Sequence, residues 1–200
     1  MTVEVDEPIQ VVNYDPAWPW LFKSEADRLR KGLSAEILAI EHFGSTSVSG
    51  MAGKPIVDLL VGAADMDQAY RVAEEVAGLG YENLGEVLVP GRIYLRHRGP
   101  PNFNVVIVVH QGDLWKYFTT VRDYLRCHPD EVHAYSSAKW DAINAGASKP
   151  SSIALKRWTD PTAIVDHPLA SRRASVVLIS AVAMLGASGS RGISVAWTAW

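Results

Sequence analysis

Residues 44–58 read Gly-Ser-Thr-Ser-Val-Ser-Gly-Met-Ala-Gly-Lys-Pro-Ile-Val-Asp, and they concentrate the groups that contact phosphate. Small residues such as Gly44, Gly50 and Gly53 let backbone amides approach a ligand closely. The hydroxyls of Ser45, Thr46 and Ser47 add donors, and Lys54 can balance phosphate charge, so the composition suits a triphosphate-binding loop. Asp58, on the apolar run that follows, could hold a magnesium ion through one carboxylate oxygen. This is not a Walker loop, because Lys54 precedes proline rather than Ser or Thr and the next element reads as a strand. Without further context the same residues also describe a flexible Gly/Ser connection beside a strand whose lone Asp accepts hydrogen bonds.

Basic residues form a second set. Arg122 and Arg126 lie one helical turn apart near Trp115, a spacing suited to a cleft rim where both could fork onto a phosphate or carboxylate. The plainer alternative pairs Arg122 with a structural carboxylate and leaves Arg126 solvated. Arg92, Arg96 and Arg98 alternate with apolar residues, so they share a strand face that lines the same cleft or simply meets water. His42 ends a strand and reads as a hydrogen-bonding structural residue with a possible ligand contact, and Glu41 supplies a further carboxylate only if the chain turns it toward Asp58. Tyr135 and Lys139 are one turn apart and read most simply as a surface lysine beside a packed tyrosine. His97, His110, His133 and His167 show no metal-ligand spacing.

The elements that must position these groups follow from periodicity. Residues 10–14 read as a short strand, and Pro19 suits the first turn of a helix whose buried stripe is Phe22, Ala26, Leu29 and Leu33. Residues 37–43 and 56–61 read as neighbouring strands joined by the Gly/Ser loop, the second apolar throughout, as buried strands are. Asp65 or Asp67 can cap a helix carrying Ala69, Ala73 and Val76, with a stop at Leu79-Gly80. Residues 92–98 and 103–109 form a hairpin across Gly99-Pro100-Pro101-Asn102. A helix capped by Asp113 carries Leu114, Phe118, Val121 and Leu125, and another covers residues 130–145 after Pro129. The expected architecture is α/β (α+β): a small mixed β-sheet flanked by helices.

Size and composition bound the rest. Two hundred residues with 48% hydrophobic content support one core, and a formal net charge of -3 from 19 basic and 22 acidic residues leaves no overall field for nucleic acid or anionic lipid. One cysteine, Cys127, permits no internal disulfide and reads as structural. The first ten residues lack the basic and apolar runs of a secretory signal, so the expected location is cytoplasmic. From Ser171 the chain turns to Ser, Ala, Gly and Val, and its apolar run at residues 176–187 falls short of the ~20 residues a membrane span needs. The expected organisation is one domain over residues 1–168 and an apolar tail over 169–200.

Four motifs, taken together, resemble the GrpB family: Tyr14-Asp15-Pro16 with Trp18-Pro19; Glu41 through Val48; Lys54-Pro55-Ile56-Val57-Asp58; and Arg122 through Arg126 with His128-Pro129. The match runs from about Val11 to about Lys139 in the family's order. GrpB proteins resemble the nucleotidyltransferase superfamily, and this implies a Gly-Ser loop for nucleotide phosphates and strand carboxylates for magnesium. Two departures stand out. Active nucleotidyltransferases of this pattern carry a second carboxylate two residues after the first, where this chain has Leu60; and Asn102 and Asn104 stand where many family members place histidines. Two-metal phosphoryl transfer relies on clustered carboxylates, and asparagine neither titrates nor shuttles protons. The functional expectation is therefore a protein that binds a nucleotide or phosphorylated small molecule through Gly44, Ser45, Thr46, Ser47, Lys54, Arg92, Arg96, Asn104 and Arg126. If active, it transfers a nucleotidyl group to a hydroxyl with Ser45, Asp58 and Arg122 as the catalytic set and Mg2+ on Asp58. A catalytically silent module of the same fold, or an enzyme of another class reusing the cleft, are the alternatives.

Overall fold

The computed structural model describes residues 10–34, 36–87 and 89–146. The apolar tail and the domain boundary near residue 168 lie outside the described residues. Among those described, no helix is long and apolar enough to cross a membrane.

The sheet is assembled from five strands, β1 (Ala39–Phe43), β2 (Ile56–Ala63), β3 (Glu82–Asn83), β4 (Ile93–His97) and β5 (Asn102–Val109), in the order β1-β2-β5-β4-β3. Among the described residues only the β2–β5 pair is parallel, so the sheet is mixed as expected. Central position explains composition: all eight residues of β2 are buried, because both neighbours and both faces are covered. Each Val, Leu or Ile sealed this way contributes roughly 1.5–3 kcal/mol of transfer free energy.

Helices α1 (Trp18–Gly32) and α2 (Met66–Gly78) cover one face, packing Ala26, Leu29, Val72 and Val76 against Leu59, Val61, Val105 and Ile107. Asp65 caps α2 by accepting the Gln68 amide at 2.7 Å, and Gly80 ends it with a positive φ of 95°. Helix α3 (Asp113–Cys127) covers the other face, placing Trp115 and Phe118 on Phe43, Leu60, Tyr94 and Val106. Helix α4 (Pro129–Asn144) starts on its proline and lies beside α3, where Val132 joins Leu125, Val48 and Met51 in a small third cluster.

Three local expectations are corrected. Residues 10–14 do not form a strand; Val12 makes only an isolated antiparallel bridge to Gly53, because no strand of the sheet runs beside it. Asp113 is the first residue of α3 rather than its cap, which is Gly112. The first strand begins at Ala39 instead of residue 37.

Candidate functional site

Strand register decides which side chains meet. Phe43 pairs with Asp58, Asp58 with Asn104, and Asn104 with Arg96, so these residues cross the α3 side of the sheet in one row. Asp58 is 5% exposed and Asn104 fully buried. The Asn104 amide donates to Asp58 Oδ1 at 2.6 Å, while its own Oδ1 accepts the Tyr94 hydroxyl at 2.8 Å and Arg98 Nη2 at 2.9 Å. Burial, opposed by the Asn104 hydrogen bond and by Arg98, Lys54 and Lys139, pushes the Asp58 carboxyl up to about 7.

The Gly/Ser loop is ordered rather than flexible. Gly44 takes φ 72°, a left-handed conformation that glycine tolerates, and the chain then makes one 3₁₀ turn at Ser45–Ser47. Ser47 Oγ donates to the Gly44 carbonyl at 2.6 Å and Thr46 Oγ1 meets His42 Nε2 at 3.0 Å, so two of the three hydroxyls hold the turn itself. Ser45 Oγ instead accepts from Lys139 Nζ at 2.7 Å. Lys139 also donates to the Ala52 carbonyl at 2.7 Å, lies 4.4 Å from the Tyr135 ring centre, and is only 4% exposed. Burial, offset by Asp58, brings its amine down to about 7. One turn away, Ser136 Oγ accepts the Ala52 amide at 3.0 Å. Helix α4 thus clamps the loop from above, and the expectation of a surface lysine is wrong because α4 folds back over residues 51–53.

Gly53 shows how tight that clamp is. A Cβ there would stand 2.8 Å from Ser45 Cβ and 3.9 Å from Lys139 Nζ. Gly53→Ala is expected to displace Ser45 from Lys139, lowering stability by about 1–3 kcal/mol as overpacking does. Urea denaturation of the variant would check this; an unchanged midpoint would mean the loop has slack.

The arginines divide. Arg122, 7% exposed, donates from Nη1 to Glu41 Oε2 at 2.8 Å and to the His42 carbonyl at 3.1 Å, and from Nε to Asp123 at 2.8 Å. Its fork ties α3 to β1, and Glu41 is held there. Arg126 Nε donates to the Ser47 carbonyl at 3.1 Å, bracing the loop from its outer side. Arg96 pairs with Glu82 at 2.7 Å across the sheet edge, and Arg92 is buried beside the Tyr94 ring. By alternation Arg92, Arg96 and Arg98 share a face; Arg96 lies in the Asp58 row by register, and Arg98 hydrogen-bonds Asn104 within it. His42 stacks on Phe22 at 4.7 Å, and burial beside Arg126 and Arg122 lowers its pKa to about 3, so it is neutral and structural. Trp115 packs near Gly62, four residues along β2 from Asp58, which corrects its expected place beside the site. Leu60 is fully buried with Phe43, Tyr94 and Val106; the position that would carry a second carboxylate is core.

A family model described as GrpB protein matches residues 8–154. The chain belongs to the GrpB family. The GrpB crystal structure from Enterococcus faecalis superposes with a TM-score of 0.66 at 32% identity, covering 72% of this chain and 89% of that one. Among curated GrpB relatives, the UPF0157 protein YqkA of Bacillus subtilis is 33% identical over 72% of this chain, and a UPF0157 protein of Pseudomonas aeruginosa is 35% identical over 67%. The matched segment spans 42% and 57% of those two proteins, about half their length. Within the GrpB fold, reading the residues had named Arg98 among those that could line the cleft but had missed Tyr94 and had set Lys139 aside as a surface residue. The available signals were the Tyr135–Lys139 spacing and the shared parity of Tyr94 and Arg98.

Proposed function

We propose that the chain binds a nucleotide or another phosphorylated small molecule at residues 44–54, with phosphate oxygens against Ser45 and Lys139. The observation behind this reading is Lys139: a buried amine, hydrogen-bonded to the family's loop serine and facing a buried carboxyl, with both groups brought to about 7. Paired shifts of this kind mark sites that handle charge. An arriving phosphate favours the protonated amine, so binding and Lys139 protonation are linked. Arg126 braces the same loop from outside, and Lys54 and Arg98 add positive charge near Asp58.

Magnesium fits this donor set in one form. Among the described residues no three His, Cys, Asp or Glu side chains are grouped to hold a metal, and Asp58 is the carboxylate that the Lys54 and Lys139 charges reach. Magnesium accepts a single carboxylate together with substrate phosphates, so Asp58 would hold it jointly with the ligand. There the ion would neutralise phosphate charge.

Nucleotidyl transfer is the second reading, favoured by Asp58 lying within reach of the Lys54 and Lys139 charges, where magnesium held jointly with the ligand would neutralise charge developing on its phosphates. The sealed Leu60 and the Glu41-bound Arg122 favour binding without turnover. Thermal-shift titration with each nucleoside triphosphate, with inorganic phosphate and with pyrophosphate, in magnesium and in chelator, separates the two. Stabilisation that persists in chelator supports binding, by about 2.7 kcal/mol at ~100 times the dissociation constant. A magnesium requirement with pyrophosphate release supports transfer, and no shift with any compound overturns both.

A further inference from the structure

Arg92 borders the cluster around Asp58 through the Tyr94 ring and is built differently from every other buried cation described. It immediately precedes β4 and is 5% exposed. Its Nη2 donates to the Val87 carbonyl at 3.1 Å, its Nε is buried with no hydrogen-bond partner, and its Cζ stands 5.8 Å from the Tyr94 ring centre. Among the described residues no carboxylate pairs with it. Glu86, the nearest acidic residue in sequence, is held by the Tyr70 hydroxyl and the Gly91 amide. Arg122 makes the contrast, equally buried but bonded to Glu41 and Asp123.

A guanidinium stays protonated in proteins, so burial leaves its charge in place. An unmade Nε bond in such a group is costly, and a planar oxyanion bridging Nε and one Nη repairs it in the geometry that guanidinium prefers. We propose that Arg92 is an oxyanion subsite that takes a carboxylate or phosphate group across its Nε edge, with the Tyr94 ring as one wall. Tyr94 stands between it and Asn104. Arg96 pairs with Asn104, and Arg92 lies four residues back along the chain from Arg96, on the order of 13 Å at strand spacing. One phosphate cannot span both places. The occupant is therefore either the distal acidic group of an elongated ligand or an independent small anion. The proposal does not require the nucleotide reading of the loop.

The test is an NMR titration of the 15N-labelled chain, following the Arg92 Nε–Hε resonance, assigned by its loss in Arg92→Lys. Inorganic phosphate and sodium acetate are added separately against sodium chloride at matched ionic strength. A saturable movement with phosphate or acetate and none with chloride is expected. Binding in Arg92→Lys, which keeps the charge but not the fork, should weaken at least about tenfold by the same titration followed on the Tyr94 and Val87 backbone amides. A shift by inorganic phosphate that survives Lys139→Met identifies an independent anion. A shift by a nucleoside triphosphate that disappears in Lys139→Met identifies one ligand held at both ends. A resonance that moves with neither anion, or equally with chloride, overturns the subsite.

Discussion

Lys139→Met is expected to leave the chain folded while weakening its binding of a phosphorylated ligand by about 100-fold, or about 2.8 kcal/mol. Methionine fills the same volume over Tyr135 without carrying an amine into the interior. The Ala52 carbonyl loses a donor, a cost of about 1–3 kcal/mol, and relief of the lysine's desolvation offsets it. What methionine cannot supply is the cation facing Ser45. Calorimetric titration of the wild type and the variant with whichever phosphorylated compound stabilises the wild type, alongside their melting temperatures, checks both halves. Equal affinities in two folded proteins would remove Lys139 from the site and leave the loop reading without its main support.

Asp58→Asn is expected to stabilise the protein at pH 8 and to leave it unchanged near pH 3.5. In the folded chain the Asp58 carboxyl keeps its proton up to about pH 7, against an ordinary value of 3.8. Between those two values the unfolded chain is ionised and the folded chain is not, so raising the pH favours unfolding. The Asp58 contribution to stability then falls by about 1.4 kcal/mol for each pH unit crossed. Lys139 acts in the opposite sense. Its amine is lowered from 10.5 to about 7, so above pH 7 the unfolded chain holds the extra proton and stability rises with pH. His42, lowered from 6.5 to about 3, raises stability with pH over nearly the same window and offsets the Asp58 limb, so the Asp58 contribution is read as the difference between Asp58→Asn and the wild type, which should grow from pH 4 to 7. Urea midpoints from pH 4 to 10 would show it. A difference between Asp58→Asn and the wild type that does not grow from pH 4 to 7 would mean that Asp58 is ionised in the fold and held by its cationic neighbours.

How much of this was legible depends on the range of the interaction. The stripe Phe22, Ala26, Leu29 and the apolar run of β2 were readable because helical and strand burial imprint on adjacent residues. A cap at Asp65 or Asp67 and a stop at Leu79-Gly80 were readable because both act within one turn, and the fold selects Asp65. Asp113 failed as a cap because the helix boundary fell one residue early, a shift that local spacing does not resolve.

By itself the sequence determined the family, the mixed sheet with flanking helices, and the Gly44–Ser45 loop placed before Asp58, since each of these is written in contiguous residues. Tertiary structure decided what those residues can do. It buried Lys139 on Ser45 across 94 positions, joined Asn104 to Asp58 across 46, and locked Arg122 onto Glu41 across 81. The physical reason is that a side chain's charge state and free donors depend on what packs against it, and at this site nearly all of that arrives from distant strands and from α4.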